Sequence, residues 1–463
     1  MNKQIINILI GIGMFLCTLF SGIKEINYIS LILVCIFIAY IYKGNKLFIF
    51  KYLIVFFSLT SVLIGLIFCD FSNIYLMEID TTSHFVGSIA PFVLFYYIFI
   101  NCMCFFDCLY SNKKTDGDNH ILIKIGNLKD INYLVTKAYF LVFALNVFLF
   151  LLVLSKPFFL LKVGRIAYQI NYLPNIAQRL QMYSLYLVPL VIISSNIKYK
   201  GEVSKMIRLL LITYFPFILY SFWTGNKFSL IWILLCLIIS PCSNLLEHGE
   251  FKIKGNKKMV MVFGLLFIII LLYYFISEGG MRQGLNAFGE RVAMQGQLWW
   301  VSYARHSADV NSINGVKQEI NAILESITSS GEIREYGVYR LMNLFGQKNV
   351  LLSYFKSGVR FSACGIELPF YYMGFFSFII IPLIEAPIYV FFINKYIENV
   401  KKGNIIRSYI YLRIFICLMS CFGQGDIYVL FGFDFIIYYV LLIFIKIVQK
   451  KLDSKDRNLI YEK

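Results

Sequence analysis

Residues 86–109 read VGSIAPFVLFYYIFINCMCFFDCL, and their one charged side chain is Asp107. As a helix, this stretch rises about 36 Å, which exceeds the roughly 30 Å hydrocarbon core of a bilayer. A helix on the surface of a soluble domain keeps one polar side towards water, and this stretch has none. It therefore predicts a transmembrane helix.

The rest of the chain repeats this pattern. Of the 463 residues, 59% are hydrophobic and 15% charged, whereas a soluble domain carries about 25% charged residues. The apolar blocks are 5–21, 27–42, 47–69, 86–109, 134–155, 182–197, 208–222, 228–242, 259–276, 366–394, 405–422 and 427–446. Because lipid cannot satisfy open backbone polar groups, the blocks must be helices. We predict an all-α polytopic membrane protein of about twelve spans, with residues 1–463 forming one integral membrane domain. The first block has no small-x-small cleavage site, so we interpret it as an uncleaved first span.

Lysines mark every second loop of this twelve-span arrangement. They lie in 43–46, 113–129, 198–205, 252–258 and 395–402 and in the tail 450–455. Since cytoplasmic loops carry the excess of Lys and Arg, these loops and both termini are expected in the cytoplasm. The same rule explains the net charge of +17 without any nucleic-acid partner.

Three loops are expected on the opposite side of the membrane: 70–85, 156–181 and 277–365, the last between spans 9 and 10. Two stretches of the long loop have helical apolar spacing. They are Ile320, Ile323, Leu324 and Ile327, and then Val338, Leu341, Met342 and Phe345. We expect short amphipathic helices on the outer face of the membrane domain.

Arginines are distributed differently from lysines. Eight of the twelve lie on the expected outer side: Arg165, Arg179, Arg282, Arg291, Arg305, Arg334, Arg340 and Arg360. The charge rule treats Arg and Lys alike, so it does not explain this sorting. The guanidinium fork binds phosphate bidentately, and a phosphate-bearing ligand on that side would explain it. Pairing with the seven acids of the long loop is the alternative, and for Arg334 and Arg340 we favour it.

Five cations are the candidates for binding such a phosphate. The loop around Arg165 holds no acid that could pair with it. If 286–306 is one helix, Arg291, Gln295, Ser302 and Arg305 share a face, and a solvated helix face is the plain alternative. Lys227 lies in a tight outer turn, where it either reaches a cavity or extends to the interface. The candidates are Arg165, Lys227, Arg282, Arg291 and Arg305.

Two residues are candidates for a proton acceptor. His306 adjoins Arg305, and Glu367 lies where the long loop re-enters the membrane. Glu367 is favoured because the span below it fixes its position, whereas the position of His306 depends on a helix in the loop. Partial burial of Glu367 is expected to raise its pKa, and a hydrated carboxylate at the outer end of the span is the alternative. The eleven cysteines form no CxxC pair and no Cys/His cluster at metal spacing. They are expected to serve packing, and no metal or other cofactor is expected.

Two short motifs carry a family resemblance. Thr224-Gly225-Asn226-Lys227 is similar to a Thr-Gly-Ser-Arg turn, and Ser362-Ala363-Cys364-Gly365-Ile366-Glu367-Leu368 leads into Gly374-Phe375-Phe376. With many spans and one dominant outer loop late in the chain, the protein resembles bacterial O-antigen polymerases of the Wzy type, which are related to O-antigen ligases. The His-Asn pair that ligases carry near the loop exit is absent, and Ser362, Cys364 and Glu367 stand there instead.

The resemblance implies a glycosyltransferase of the bacterial inner membrane. It would join oligosaccharide repeat units carried on undecaprenyl pyrophosphate, on the periplasmic face, and release undecaprenyl pyrophosphate. Inverting, metal-independent chemistry is expected, and a chain-length regulator in the membrane is a further expected partner. The alternatives are a lipid-linked oligosaccharide flippase, which should show two similar halves, and a ligase acting on another acceptor.

Overall fold

The structure is a computed structural model, and it describes residues 3–112, 137–158, 168, 171–199, 203–225, 227–243, 275, 280–306, 312–328, 336–357 and 360–461. The helices in these ranges are α1 Lys3–Leu19, α2 Lys24–Lys51, α3 Leu53–Phe71, α4 Ile89–Asn112, α5 Ala138–Leu151, α6 Asn175–Tyr186, α7 Val188–Tyr199, α8 Val203–Trp223, α9 Lys227–Cys242, α10 Met281–Ala293, α11 Gln297–Ala304, α12 Ser312–Thr328, α13 Val338–Phe345, α14 Lys348–Ser357, α15 Glu367–Met373, α16 Ser377–Lys401, α17 Ile405–Gln424 and α18 Phe433–Tyr461. Strands β1 (Tyr75–Leu76) and β2 (Thr81–Thr82) form an antiparallel pair.

Apolar helices dominate the described chain. Six are long and apolar enough to cross a membrane, seven if α6 and α7 form one bent span, and four more are apolar but shorter. Many large apolar side chains face outward, including Ile8, Phe15, Phe376 and Phe444, each about half or more exposed. Such a surface is unfavourable in water and favourable in lipid. The prediction of an all-α membrane protein is confirmed. The count of twelve stays a prediction, and the block 259–276 lies outside the described residues.

The long helix α16 occupies the centre of the bundle and packs against α4, α9 and α17. Asn394 on α16 donates hydrogen bonds to the Tyr52 hydroxyl at 2.9 Å and to Asp107 at 3.1 Å. Lys51 pairs with the same Asp107 at 2.5 Å. Three helices are thus fastened together by one carboxylate.

The connections between helices gather at two ends of the bundle. One end, called the lysine end, holds Lys51 and its partner Asp107 and, at the foot of α16, Lys395 and Lys402 bound to Glu398. The opposite end, called the loop end, holds the α1–α2 turn, residues 72–88, 280–306, 336–357 and 360–366, and the α17–α18 connection. Hydrogen bonds join these segments, for example Ser21 with Tyr303 and the Val338 amide with the Gly425 carbonyl. Of the lysines in the described residues, Lys51, Lys395 and Lys402 lie at the end opposite to 280–306 and 336–357. The sorting of the other lysine-rich loops, and which end faces the cytoplasm, stay predictions.

Several helix boundaries differ from the sequence blocks. The predicted loop at 43–46 lies within α2, which only kinks at Asn45, since charged residues do not end a helix once it has left the hydrocarbon. The block 182–197 is two helices bent by 45°, broken at Leu187 just before Pro189, whose ring cannot donate a backbone hydrogen bond. The single helix over 286–306, which was the condition for a shared face of Arg291 and Arg305, does not form, because α10 ends at Ala293 and α11 begins at Gln297.

Candidate functional site

Helix α11 is the centre of the loop end. The indole of Trp299 donates to the Ser88 carbonyl and that of Trp300 to the His84 carbonyl, both at 3.0 Å. Tyr303 shares a hydrogen bond of 2.9 Å with Ser21. These bonds fix α11 against the 72–88 segment and the first turn of the bundle. Any side chain on α11 or at its end therefore has a defined position.

A glycine pair explains the turn between α10 and α11. Gly296 lies against the backbone of α3, where an added Cβ would come within 2.6 Å of the Leu66 amide nitrogen. Gly65 faces the same contact, and its added Cβ would meet the Val292 carbonyl at 2.9 Å. Only glycine lets two backbones approach this closely. The break that separates Arg291 from Arg305 is therefore part of the packing.

Three of the predicted phosphate ligands are exposed and form no ion pair with another described residue: Arg282, Arg291 and Arg305. Arg305 places its guanidinium 5.5 Å from the centre of the Phe345 ring. Arg291 has one polar contact with another described residue, at 3.6 Å to the sulfur of Met294. Within the described part of the chain, no carboxylate occupies the guanidinium donors of these three arginines.

Arg305, directly after α11, contacts the turn between α13 and α14, whereas Arg291, on α10, is linked to that turn only through Glu78. Arg305 contacts Phe345, and the amide of Gln347 donates to the Glu78 carbonyl at 3.0 Å. The Glu78 carboxyl in turn feels the charge of Arg291. Arg282, at the start of α10, has no described contact that brings it to this turn.

The other cations named in the sequence analysis form ion pairs, begin a helix or lie outside the described residues. Arg340 pairs with Glu319 at 3.0 Å and Arg360 pairs with Asp426, so for Arg340 the predicted pairing with a loop acid is confirmed. Arg165 and Arg334 lie outside the described residues. Lys227 begins α9, and the contact of Ser240, at the far end of that helix, with the Lys51 carbonyl places Lys227 towards the loop end.

Glu78 is a buried carboxyl that sequence reasoning did not single out. It is 4% exposed and accepts hydrogen bonds from the Tyr354 hydroxyl at 2.8 Å and from the Gln297 amide. Burial raises the pKa of the Glu78 carboxyl above its ordinary value of 4.5, against the smaller lowering effects of these two donors and of Arg291. Its partners are 219 and 276 positions away in the sequence. No local sequence pattern therefore predicts this network.

His306 lies directly after the α11 helix and is half-buried. Its Nδ1 is 3.3 Å from the Tyr371 carbonyl oxygen, and its ring lies 5.0 Å from that of Phe370. A carbonyl can only accept, so this contact calls for a proton on Nδ1 and leaves Nε2 as the acceptor in the neutral ring. Nε2 faces Gly374, where an added Cβ would lie 3.1 Å away. This orientation suits a proton acceptor.

Glu367 is placed differently from the expectation. It is 1% exposed, so the predicted partial burial is wrong. Both carboxyl oxygens accept from the Cys364 amide, at 2.9 and 3.2 Å. The carboxyl thus binds the loop that leads into its own helix α15 and satisfies the buried amide of Cys364. Glu367 and His306 lie at opposite ends of α15, about 9 Å apart along its axis, and the structure does not bring them together.

The motif before Glu367 contains Gly365 at a position where only glycine fits. Gly365 has a φ of +86°, and an added Cβ would overlap the Phe422 carbonyl on α17. The loop exit is thus pressed against the end of α17, and Glu385 of α16 reaches the same place, 3.5 Å from that Cβ position. Glu385 is 4% exposed. Its sequence position within an apolar block was the signal for an unusual carboxyl.

Comparison with known proteins adds one match. Residues 332–439 match the model of a family of unknown function, DUF6418. The match covers less than half of the chain, including Glu367 and excluding Arg291, Arg305 and His306. No curated protein and no solved structure matches the chain.

Proposed function

We propose that the protein polymerises oligosaccharide repeat units carried on undecaprenyl pyrophosphate, at the periplasmic face of the bacterial inner membrane. The observation that carries the proposal is that two exposed guanidinium groups, Arg291 and Arg305, and the half-buried His306 all lie at the loop end of a membrane bundle. An O-antigen polymerase needs both cations and a proton acceptor beside the lipid surface.

The chemistry assigns a task to each group. A sugar hydroxyl of the acceptor attacks the anomeric carbon of the donor glycan, a new glycosidic C–O bond forms, and the bond to the lipid pyrophosphate breaks with inversion. Negative charge develops on the leaving pyrophosphate, where fixed cations stabilise it most. Arg291 and Arg305 take that task, and Arg165, Lys227 and Arg282 stay proposed ligands.

The hydroxyl proton goes to a positioned acceptor, which contributes about 10²–10⁴ in rate. We propose His306 ahead of Glu367, which reverses the ranking from sequence alone. His306 is half-buried and directs Nε2 away from its carbonyl partner, whereas both oxygens of Glu367 are bound to backbone inside the protein. Glu367 then positions the entry of α15.

A lipid-linked oligosaccharide flippase is the second proposal. The span formed by α6 and α7 is broken by a bend of 45°, and discontinuous membrane helices are common in transporters. The exposed arginines favour the polymerase, because a transporter is expected to place its charges along the spans.

Deletion of the gene distinguishes the two, with surface polysaccharide resolved on a gel. Loss of the long ladder with single repeat units retained supports the polymerase. Loss of every repeat unit from the surface indicates a flippase or a ligase. An unchanged ladder in the deletion strain would contradict all three.

A further inference from the structure

Helix α12 (Ser312–Thr328) has three sides of different chemistry. One side is buried against the protein: Gly315 lies on the ring of Tyr372, and Glu319 binds Arg340 and the Gly337 amide. The exposed part divides in two. Ile320 and Leu324, 52% and 57% exposed, lie one turn apart on one flank. The other flank is polar and exposed, with Gln318, Asn321 and Glu325.

The position of α12 brings its apolar flank near lipid. Tyr372, which Gly315 contacts, belongs to α15, the first part of an apolar stretch at 367–401 long enough to cross a membrane. Three and four residues further on, Phe375 and Phe376 are 49% and 64% exposed. Ile379 and Leu383 continue that exposed apolar side along α16. The lipid-facing surface therefore begins within about one turn of the α12 contact.

Exposure to water does not explain why the outer surface of α12 is divided into an apolar flank and a polar flank. A helix that is solvated on its whole outer side gains nothing from collecting Ile320 and Leu324 on one flank, and leaving them in water is unfavourable. A helix that lies in the membrane interface buries such a flank among the upper acyl chains and keeps its polar flank in the headgroups. The buried ion pair of Glu319 with Arg340 holds α12 in that orientation.

We propose that α12 is an interfacial helix, whose Ile320–Leu324 flank inserts at the boundary between lipid headgroups and acyl chains beside α15. The bilayer is thus a binding partner of the long loop as well as of the spans. This inference does not depend on the proposed function. It supplies a reason for the loop end to stay pressed onto the membrane.

The test uses full-length protein in phosphatidylglycerol–phosphatidylethanolamine vesicles. An environment-sensitive fluorescent amino acid is incorporated in place of Leu324 or, as the matched control on the polar flank, in place of Asn321. Lipids brominated near the headgroup end of the acyl chains should quench position 324 several-fold more strongly than position 321. Aqueous iodide should show the reverse order.

Two results overturn the proposal. One is equal quenching by iodide at both positions, which means that water covers the apolar flank. The other is protection from both quenchers at position 324 together with cross-links between two copies through that position, which means that a second copy covers it. A paired Ile320→Asn, Leu324→Asn variant gives an independent check. It should loosen the helix from the bilayer, measured as faster amide hydrogen exchange at 312–328, while exchange in α16 stays unchanged. Unchanged exchange in α12 counts against the insertion.

Discussion

At the scale of single residues, the loop end is unusual for its buried carboxyls. Glu78 and Glu367 are each under 5% exposed, and their hydrogen bonds come from neutral donors, the Tyr354 hydroxyl, the Gln297 amide and the Cys364 amide. For Glu78, burial without a cation in contact raises the pKa of the carboxyl and favours its neutral form. Glu319 also has a raised pKa, caused chiefly by burial, although Arg340 is paired with it.

Glu78 predicts a pH dependence of stability. Its folded pKa is raised above the ordinary 4.5, so between that pH and the raised value the native state holds a proton that the unfolded chain has lost. Stability then falls as pH rises through this window and levels off above it. Glu78→Gln removes the titration. The melting temperature of the wild type minus that of Glu78→Gln should therefore fall from pH 4.5 upward.

Purified protein in one detergent is measured at each pH, so all other titrating groups cancel in the difference. Tyr354→Phe is the companion background, since it removes the donor that lowers the Glu78 pKa and should extend the fall to higher pH when Tyr354→Phe is compared with Tyr354→Phe, Glu78→Gln. A difference that stays constant with pH contradicts the raised pKa.

Arg291→Ala is expected to impair polymerisation while the protein stays in the membrane. Loss of a charge-assisted contact costs about 1.5–3 kcal/mol, roughly 10- to 150-fold in rate. Arg291→Lys should recover only part of the activity, because lysine keeps the charge and loses the fork. Arg407→Ala, which removes the same charge at the lysine end, is the matched control. Equal activity of Arg291→Ala and the control removes the argument for pyrophosphate binding.

His306→Gln and Glu367→Gln separate the two candidate proton acceptors. His306→Gln should reduce polymerisation by about 10²–10⁴ at normal protein levels, scored as ladder length with substrate retained. Glu367→Gln keeps an oxygen that accepts from the Cys364 amide, so its activity should fall much less. The opposite order would restore Glu367 as the acceptor. Full activity in both variants would mean that neither residue accepts the proton.

At the scale of helices, the packing of α3 against the α10–α11 turn depends on the contact between Gly65 and Gly296. Gly65→Ala should push α3 away from the α10–α11 turn, because its Cβ would meet the Val292 carbonyl at 2.9 Å. Overpacking of this kind costs about 1–3 kcal/mol. Gly44→Ala is the matched control, since nothing lies within 4 Å of its added Cβ. Thermal unfolding in detergent should show a lower midpoint for Gly65→Ala only, and equal midpoints would contradict the close contact.

The sequence predicted most helices and few of their ends. Hydropathy locates residues that prefer lipid, so 405–422 was close to the observed α17 at Ile405–Gln424. It has no information on where a helix ends in water, and α18 therefore continues to Tyr461, well past the predicted 446. The break at Gly296 follows from its contact with Gly65, a residue 231 positions earlier, and no local pattern contains it.

At the scale of the whole molecule, the candidate site was predicted only in part. Charge sorting proposed Arg291 and Arg305, because an excess of arginine over lysine is visible in the sequence. It could not predict the contact of Arg305 with Phe345 or the link of Arg291 to Glu78, since these arise from α10, α13 and the 72–88 segment folding together. Glu367 was misjudged for the same reason, as its hydrogen bond from the Cys364 amide depends on the path of residues 362–366.

The orientation of the bundle is the prediction on which the periplasmic site depends. The lysine end should face the cytoplasm, because Lys51, Lys395 and Lys402 gather there. Alkaline phosphatase, which is active only outside the cytoplasm, should be active when fused at Asn311 in the long loop. Fused at Gly403, in the α16–α17 turn of the lysine end, it should be inactive.

Fusions at Asn119 and Gly255 extend the test to two lysine-rich loops outside the described residues, and both should be inactive. The set also tests the span count, because the twelve-span prediction puts one further crossing at 259–276, between Gly255 and Asn311. Activity at Gly403 with none at Asn311 would show that the bundle has the opposite orientation. The arginines would then lie in the cytoplasm, where a periplasmic polymerase has no substrate. Equal activity at Gly255 and Asn311 would show that the chain does not cross the membrane between them. The number of spans would then be odd, and the two termini would lie on opposite sides.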